Sequence, residues 1–179
     1  FSWDDRYVHF KFTHDLEKRL MVRSELIPIA ISPRHIDGKA RNWSRDNWEK
    51  FYELVNDSNK YFAYVVGKSP TIVKFDAGRF ERIVYAEDLF TSDHTLIEVM
   101  IAALRISRVT IGQQSSLPIL SQFVETPTIM FGHRKYRNMN FDNPKNVRKG
   151  FIESPNYDID PLKLYNYMDN FISKLEGKI

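Results

Sequence analysis

The segment Gly112-Gln113-Gln114-Ser115-Ser116 joins an apolar run to a helical stretch through a glycine, two amides and two hydroxyls. A strand that runs into a helix through such a turn aims unpaired backbone N–H groups, and the positive end of the helix dipole, at whatever lies beyond. The chemistry this suits is anion binding, phosphate above all. Ser115 and Ser116 can add hydroxyl donors, and Gly112 lets the backbone approach the anion closely. The alternative is that Ser115 or Ser116 caps the helix and nothing more, because serine is a favoured N-cap with or without a ligand.

Two more turns carry charge. Ser32-Pro33-Arg34-His35-Ile36-Asp37-Gly38-Lys39-Ala40-Arg41 places three cations just after another apolar run. Arg34 or Lys39 could neutralise a pyrophosphate as it leaves a reaction centre, or the stretch could be a solvated loop. After Phe131, the cations and histidine His133, Arg134, Lys135, Arg137, Lys145, Arg148 and Lys149 face a lone acid, Asp142. Such a run is usually a solvated face, and His133 and Arg134, the first residues out, are the ones placed to reach an anionic ligand. Tyr136 and Phe141 interleave with these cations as in single-strand nucleic-acid grooves, but two aromatics make a thin case, so such binding through Arg134 to Lys149 is a third, weaker reading and no nucleic-acid partner is expected. Glu87 and Asp88 could bond ribose hydroxyls or simply stand in solvent.

Other constellations are missing. The histidines, His9, His14, His35, His94 and His133, have no paired metal-ligand spacing, and the chain has no cysteine, so no metal cofactor, disulfide or thiol chemistry is expected. No G-x-G-x-x-G, phosphate-loop or Gly-x-Ser-x-Gly pattern occurs, which disfavours a dehydrogenase, an NTPase and an α/β serine hydrolase.

The elements that must position these residues can be read from period and caps. Ile27–Ile31, Tyr61–Val66, Arg82–Tyr85, Arg108–Ile111 and Thr128–Phe131 read as strands. Helices are predicted after Ser44, with Trp48, Phe51, Tyr52 and Val55 on one face, and after Thr95, whose Glu98 completes a capping box. Ser115–Val124 reads as a helix. A last one spans 161–176, with Asp160 as N-cap and Pro161 at its first position. Strands alternating with helices predict an α/β fold, an open, doubly wound and mostly parallel sheet. Ligands in such sheets sit beyond the carboxyl ends of the strands, where the charged turns fall. Residues 1–26 read as a lead-in or linker, with a short helix over 15–23, and 27–179 as the domain.

At 179 residues, 42% hydrophobic and 27% charged, the chain has enough apolar material for one ordinary domain with its own core. Its net charge of +3 permits anionic ligands without arguing for a polyanion. No apolar run is long enough to span a bilayer, and Phe1 to Arg6 is not a signal-peptide opening. The absence of an initial Met points to a processed product or a piece of something larger.

Two stretches carry a family likeness: Arg41-Asn42-Trp43-Ser44 with Trp48 and Phe51, and Val109-Thr110-Ile111-Gly112 through Glu125-Thr126-Pro127-Thr128-Ile129-Met130-Phe131-Gly132. Between them the segment 27–132 resembles the C-terminal, nucleotide-sugar-binding domain of GT-B glycosyltransferases, and looks most like the heptosyltransferase family, glycosyltransferase family nine. Where that family has an acidic residue, Ser or Thr, and Gly before a downstream His, this chain has Gln114, Ser115, Ser116 and Ile119.

The resemblance implies a Rossmann-like domain of GT-B type that holds a nucleoside-diphosphate sugar, with Gln114, Ser115 and Ser116 at the diphosphate. The departures imply a donor other than ADP-heptose. It further implies transfer to a glycan or lipid-linked acceptor in the cytoplasm or at the cytoplasmic membrane face. A second Rossmann-like domain, in cis or in trans, would supply the acceptor site, so that this chain alone binds the donor and transfers nothing. The competing expectation is a non-catalytic module that binds a phosphorylated ligand or an anionic partner.

Overall fold

The computed structural model of the chain describes residues 14–21, 25–37, 41–76, 78–91, 93–134 and 148–177. Its elements in chain order are α1 (His14–Leu20), β1 (Ile27–Ser32), α2 (Arg45–Asp57), β2 (Tyr61–Val65), β3 (Ile83–Tyr85), α3 (Leu96–Ile106), β4 (Thr110–Gln113), α4 (Ser116–Phe123), β5 (Thr128–Gly132), β6 (Lys149–Glu153) and α5 (Pro161–Leu175). A short 3-10 turn over Ala86–Leu89 follows β3.

The strands form one sheet in the order β3-β2-β1-β4-β5-β6, and every pair is parallel. The chain builds outward from β1 to β3, returns to the middle, and builds outward again from β4 to β6. That reversal puts a topological switch point between β1 and β4, where Ser32 lies beside Gly112. The turns after these two strands therefore face each other across a crevice.

Alternation along the strands divides the interior in two. Ile29, Ile31, Ala63, Val65, Ile111, Ile129 and Phe131 point to one face, where Trp43, α2 and α5 cover them. Ala30, Phe62, Tyr64 and Val66 point to the other, under α3 and α1, with Leu117 and Leu120 of α4 packed at its margin. On the first face Trp43 and Trp48 meet edge to face, their ring centroids 4.6 Å apart. Trp43 also packs on Phe131 and donates its indole N–H to Ile159 O at 2.9 Å, tying the lead into α2 to the lead into α5.

The helices form for the reasons their sequences give. Ser44 Oγ accepts from Asn47 N at 3.1 Å to open α2, whose Trp48, Phe51, Tyr52 and Val55 are all buried. Thr95 and Glu98 close a reciprocal capping box on α3. Asp160 Oδ1 accepts from Lys163 N at 2.9 Å ahead of Pro161, and α5 buries Leu164, Met168 and Ile172. α1 docks on α3 through Leu16 and Leu20, and the hydroxyl of Tyr64 is bonded to Leu20 O.

Two strands differ from the sequence-based expectation. β4 starts at Thr110 and runs on to Gln113, so Gly112 lies in the strand and not in a turn. β6 occupies Lys149–Glu153, at the end of what read as a polar stretch; Arg148, just before it, donates to Lys174 O at the far end of α5. Arg148 and Lys149 thus sit at the amino edge of the sheet, opposite the crevice. Residues 135–147 lie outside the described residues. Among the described residues, no helix is long and apolar enough to cross a membrane.

Candidate functional site

The crevice at the switch point is built by three turns. After β1, the segment 33–35 pairs with 71–73 in a small antiparallel ribbon: Val73 N donates to Pro33 O at 2.9 Å and His35 N to Thr71 O at 2.8 Å. Gln113, wholly buried at the end of β4, reaches across to the same segment. Its Oε1 accepts from Arg34 N and its Nε2 donates to Arg34 O, both at 3.1 Å, so one side chain does for Arg34 what a neighbouring strand would. Asn42 closes the same loop farther on, accepting from Ile36 N at 3.1 Å and donating to Ile36 O at 2.7 Å. The Arg-Asn-Trp segment is therefore a loop clasp followed by a core anchor.

Gly112 has a different task from the one its type suggested. A Cβ there would stand 2.8 Å from Ser32 O and 3.1 Å from Pro118 Cγ, so its bareness lets β1, β4 and α4 close on one another. The other positions that the sequence pointed to as facing a phosphate come after it. Ser115 occupies the N-cap of α4 but makes no capping hydrogen bond, and its Oγ is buried without a partner. Pro118, at the third helical position, has no N–H, which leaves the exposed Ser116 and then Leu117 to present the first amides of the helix.

Gln114 is 97% buried, with an accessibility of 3%. Its Oε1 accepts from the hydroxyl of Tyr157, in the turn after β6, at 3.1 Å, while its Nε2 has no partner among the described residues. Arg34 likewise keeps a buried Nη1 without a partner among the described residues. Burial pushes the Arg34 guanidinium below its usual value, the charge of Arg41 adds to the effect, and Tyr157 opposes it. Donors on Arg34, Gln114 and Ser115 without a partner among the described residues thus lie on the segments that follow β1 and β4, where Gln113 ties the backbone of Arg34 to β4 and Tyr157 holds Gln114. Trp48 Nε1, Tyr52 OH and Thr110 Oγ1 are likewise unpaired in the interior, so the donors of Arg34, Gln114 and Ser115 stand out by their place at the carboxyl edge of the sheet and not by their number.

No protein-family model matches the sequence, and no curated protein matches it either. Solved structures do match the fold. A glycosyl transferase of family 9 from Veillonella parvula DSM 2008 superposes with a TM-score of 0.69 at 10% identity, over 93% of this chain and 54% of that one. E. coli ADP-heptose lps heptosyltransferase II gives 0.67 at 12% identity, over 92% and 53%. E. coli heptosyltransferase WaaC, solved with ADP, gives 0.61 at 11% identity, over 86% and 48%. The fold is of the GT-B type. The chain spans about half the length of these glycosyltransferases.

Within this GT-B-type domain the remaining predicted residues are scattered. His133 and the exposed Arg134 follow Gly132 at the carboxyl end of β5, on the crevice side. Lys39 lies outside the described residues. Glu87 is two strands away from β1, past the end of edge strand β3, and is already engaged: its carboxylate accepts from Ser69 N at 2.9 Å, Ser69 Oγ at 2.8 Å and Lys74 Nζ at 3.0 Å. Asp88 accepts from the same lysine at 2.6 Å. These contacts fasten the turn after β2 and leave the two carboxylates short of the ribose role their position suggested.

Burial pushes the Glu87 carboxyl up, but the Ser69 and Lys74 hydrogen bonds outweigh it and hold the group below its usual value. A carboxyl depressed in the folded state adds stability above its unfolded pKa and loses it as pH falls through the folded one. Glu87→Gln is therefore expected to destabilise the domain at pH 7, by an amount that shrinks as the pH is lowered below the usual carboxylate range, read by denaturant unfolding across that range.

The Thr126-Pro127-Thr128 stretch that supports the family likeness lies at the other end of the sheet. Thr126 Oγ1 donates to Leu104 O at 2.8 Å, and Thr128 Oγ1 shares a 2.6 Å bond with Ser121 Oγ, joining α3, α4 and β5. Sequence reasoning missed Gln113 and Tyr157. The only signal for Gln113 was a polar residue at the end of a buried strand, and Tyr157 gave none beyond its turn-rich surroundings.

Proposed function

We propose that this chain is the donor-binding half of a GT-B glycosyltransferase and holds a nucleoside-diphosphate sugar in the crevice between the turns after β1 and β4. The observation that carries the reading is the set of buried donors without a partner among the described residues, Arg34 Nη1, Gln114 Nε2 and Ser115 Oγ, on the segments that follow β1 and β4. A diphosphate would satisfy all three and take the first amides of α4 besides. In transfer, the bond from the sugar's anomeric carbon to the diphosphate oxygen breaks as the acceptor oxygen bonds to that carbon. Arg34, with the α4 amides, stabilises the charge that develops on the leaving diphosphate. His133 and Arg134 stand at the next strand end for the rest of the donor. The acceptor, a glycan or a lipid-linked sugar at the cytoplasmic face, and the base that activates it belong to a second Rossmann-like domain in cis or in trans.

Calorimetric titration of the folded chain with UDP-, GDP-, ADP- and TDP-sugars tests this. Binding to one base class above the others is expected, and a folded protein that binds none of them ends the reading. A second reading, a non-catalytic phosphate-binding module, draws on the neutral amide of Gln114 where the similar family has an acid. It calls for binding of simple phosphorylated ligands with no preference for a sugar nucleotide.

A further inference from the structure

Tyr157 adopts φ 56°, in the left-handed region, and is only 4% exposed. That conformation is costly for an aromatic residue and persists only where the surroundings impose it. Ser154 imposes it here. Its carbonyl accepts from Tyr157 N at 2.9 Å, its Oγ bonds Asp158 through both the Oδ1, at 3.1 Å, and the backbone N–H, at 2.9 Å, and its own N–H is held by Gly132 O.

Gly132 points to the same spot. At φ 151°, a Cβ on it would stand 2.5 Å from Gln114 Oε1 and 2.7 Å from Tyr157 Cε1. Two residues with unusual backbones therefore make room for one contact, the 3.1 Å bond from the Tyr157 hydroxyl to Gln114 Oε1. In that bond the hydroxyl donates to Oε1, which leaves the NH2 end, able only to donate, without a partner among the described residues. Without it the side chain loses the contact that holds it in place.

We propose that Tyr157 is a positioning residue for the ligand's diphosphate: it locks the Gln114 amide so that Nε2 is offered as a donor alongside Ser115 Oγ and Arg34 Nη1. The proposal rests on the reading of this crevice as a diphosphate site. It also gives the buried, unpaired Nε2 a purpose, since an amide NH2 left without a partner in the interior is a standing cost.

The test is calorimetric titration of the whole chain with inorganic pyrophosphate, for the wild type, Y157F, Q114A, Q114E and Y157F/Q114A, with melting temperatures measured alongside. Y157F removes one hydroxyl and keeps the ring, and should bind pyrophosphate about 5- to 10-fold more weakly, the effect of one neutral hydrogen bond. In the Q114A background the same change should have no effect, because Tyr157 acts through Gln114. Q114E keeps the Tyr157 bond but turns a carboxylate toward the anion, and should lose more than Q114A.

Y157F binding as the wild type does, or weakening binding equally with and without Gln114, overturns the proposal, as does a wild type that binds no pyrophosphate. Sugar nucleotides that bind without dependence on Tyr157 leave the donor-site reading standing while this inference falls. Tyr157-dependent pyrophosphate binding with no sugar nucleotide bound does the reverse.

Discussion

Replacing Arg34 by methionine should weaken binding of ADP or UDP by about 10- to 100-fold, the equivalent of one charge-assisted hydrogen bond of roughly 1.5–3 kcal/mol. It should leave the melting temperature unchanged or slightly raised. The two expectations separate because the backbone of Arg34 is held by Gln113 and by the ribbon to 71–73, none of which needs the side chain. The guanidinium itself is disfavoured by burial and by Arg41, so removing it relieves the folded state. Stability given up to keep an unpaired charge in a crevice is a usual mark of a binding residue. Arg34→Lys should fall between the two proteins, since it keeps the charge and loses the planar fork. Titration and calorimetric melting of the three proteins read both quantities, and an R34M protein that binds like the wild type removes Arg34 from the site.

The largest loss of stability is expected at Trp43, far from any charge. Trp43→Ala opens a cavity among Trp48, Phe51 and Phe131 and strands the carbonyl of Ile159, which accepts the indole N–H. The cost is about 3–5 kcal/mol, much of the roughly 5–15 kcal/mol that holds a domain folded. At roughly 2–4 °C per kcal/mol for a chain of this size, the melting temperature should drop by about 6–20 °C. Trp43→Phe keeps much of the ring contact and gives up the hydrogen bond, so it should lose distinctly less. Equal losses in the two variants would mean that the bond to Ile159, and not the packing, holds these segments together.

What could be read from the sequence follows from where each interaction lies. The period of Trp48, Phe51, Tyr52 and Val55, the Thr95–Glu98 box and the Asp160-Pro161 start are local patterns, and the structure has all three helices where those patterns put them. The buried strands β1, β2 and β5 announced themselves as apolar runs, as parallel strands covered on both faces do. β6 did not. It is an edge strand whose burial alternates, and Lys149 and Gly150 open it behind a run of cations.

The site divides in the same way. Ser115 and Ser116 were legible because a helix start is local. Gln113 and Tyr157 were not, because they act on residues 79 and 43 positions away. Gly112 was read as letting the backbone approach an anion, whereas what it meets in the structure is the backbone of Ser32. Glu87 looked free because its partners, Ser69 and Lys74, come from another turn.

The split of the interior by the sheet has a practical side. Two of the chain's three tryptophans, Trp43 and Trp48, are buried together on the face covered by α2 and α5. Their intrinsic emission will follow the solvation of that face. The opposite face, under α1 and α3, has no described tryptophan and can loosen without changing that signal. An unfolding curve followed by fluorescence and one followed by amide exchange in α3 would then diverge if the two faces come apart at different denaturant concentrations. Agreement between them would show that the sheet transmits a loss on one side to the other, and that the domain melts as one cooperative unit.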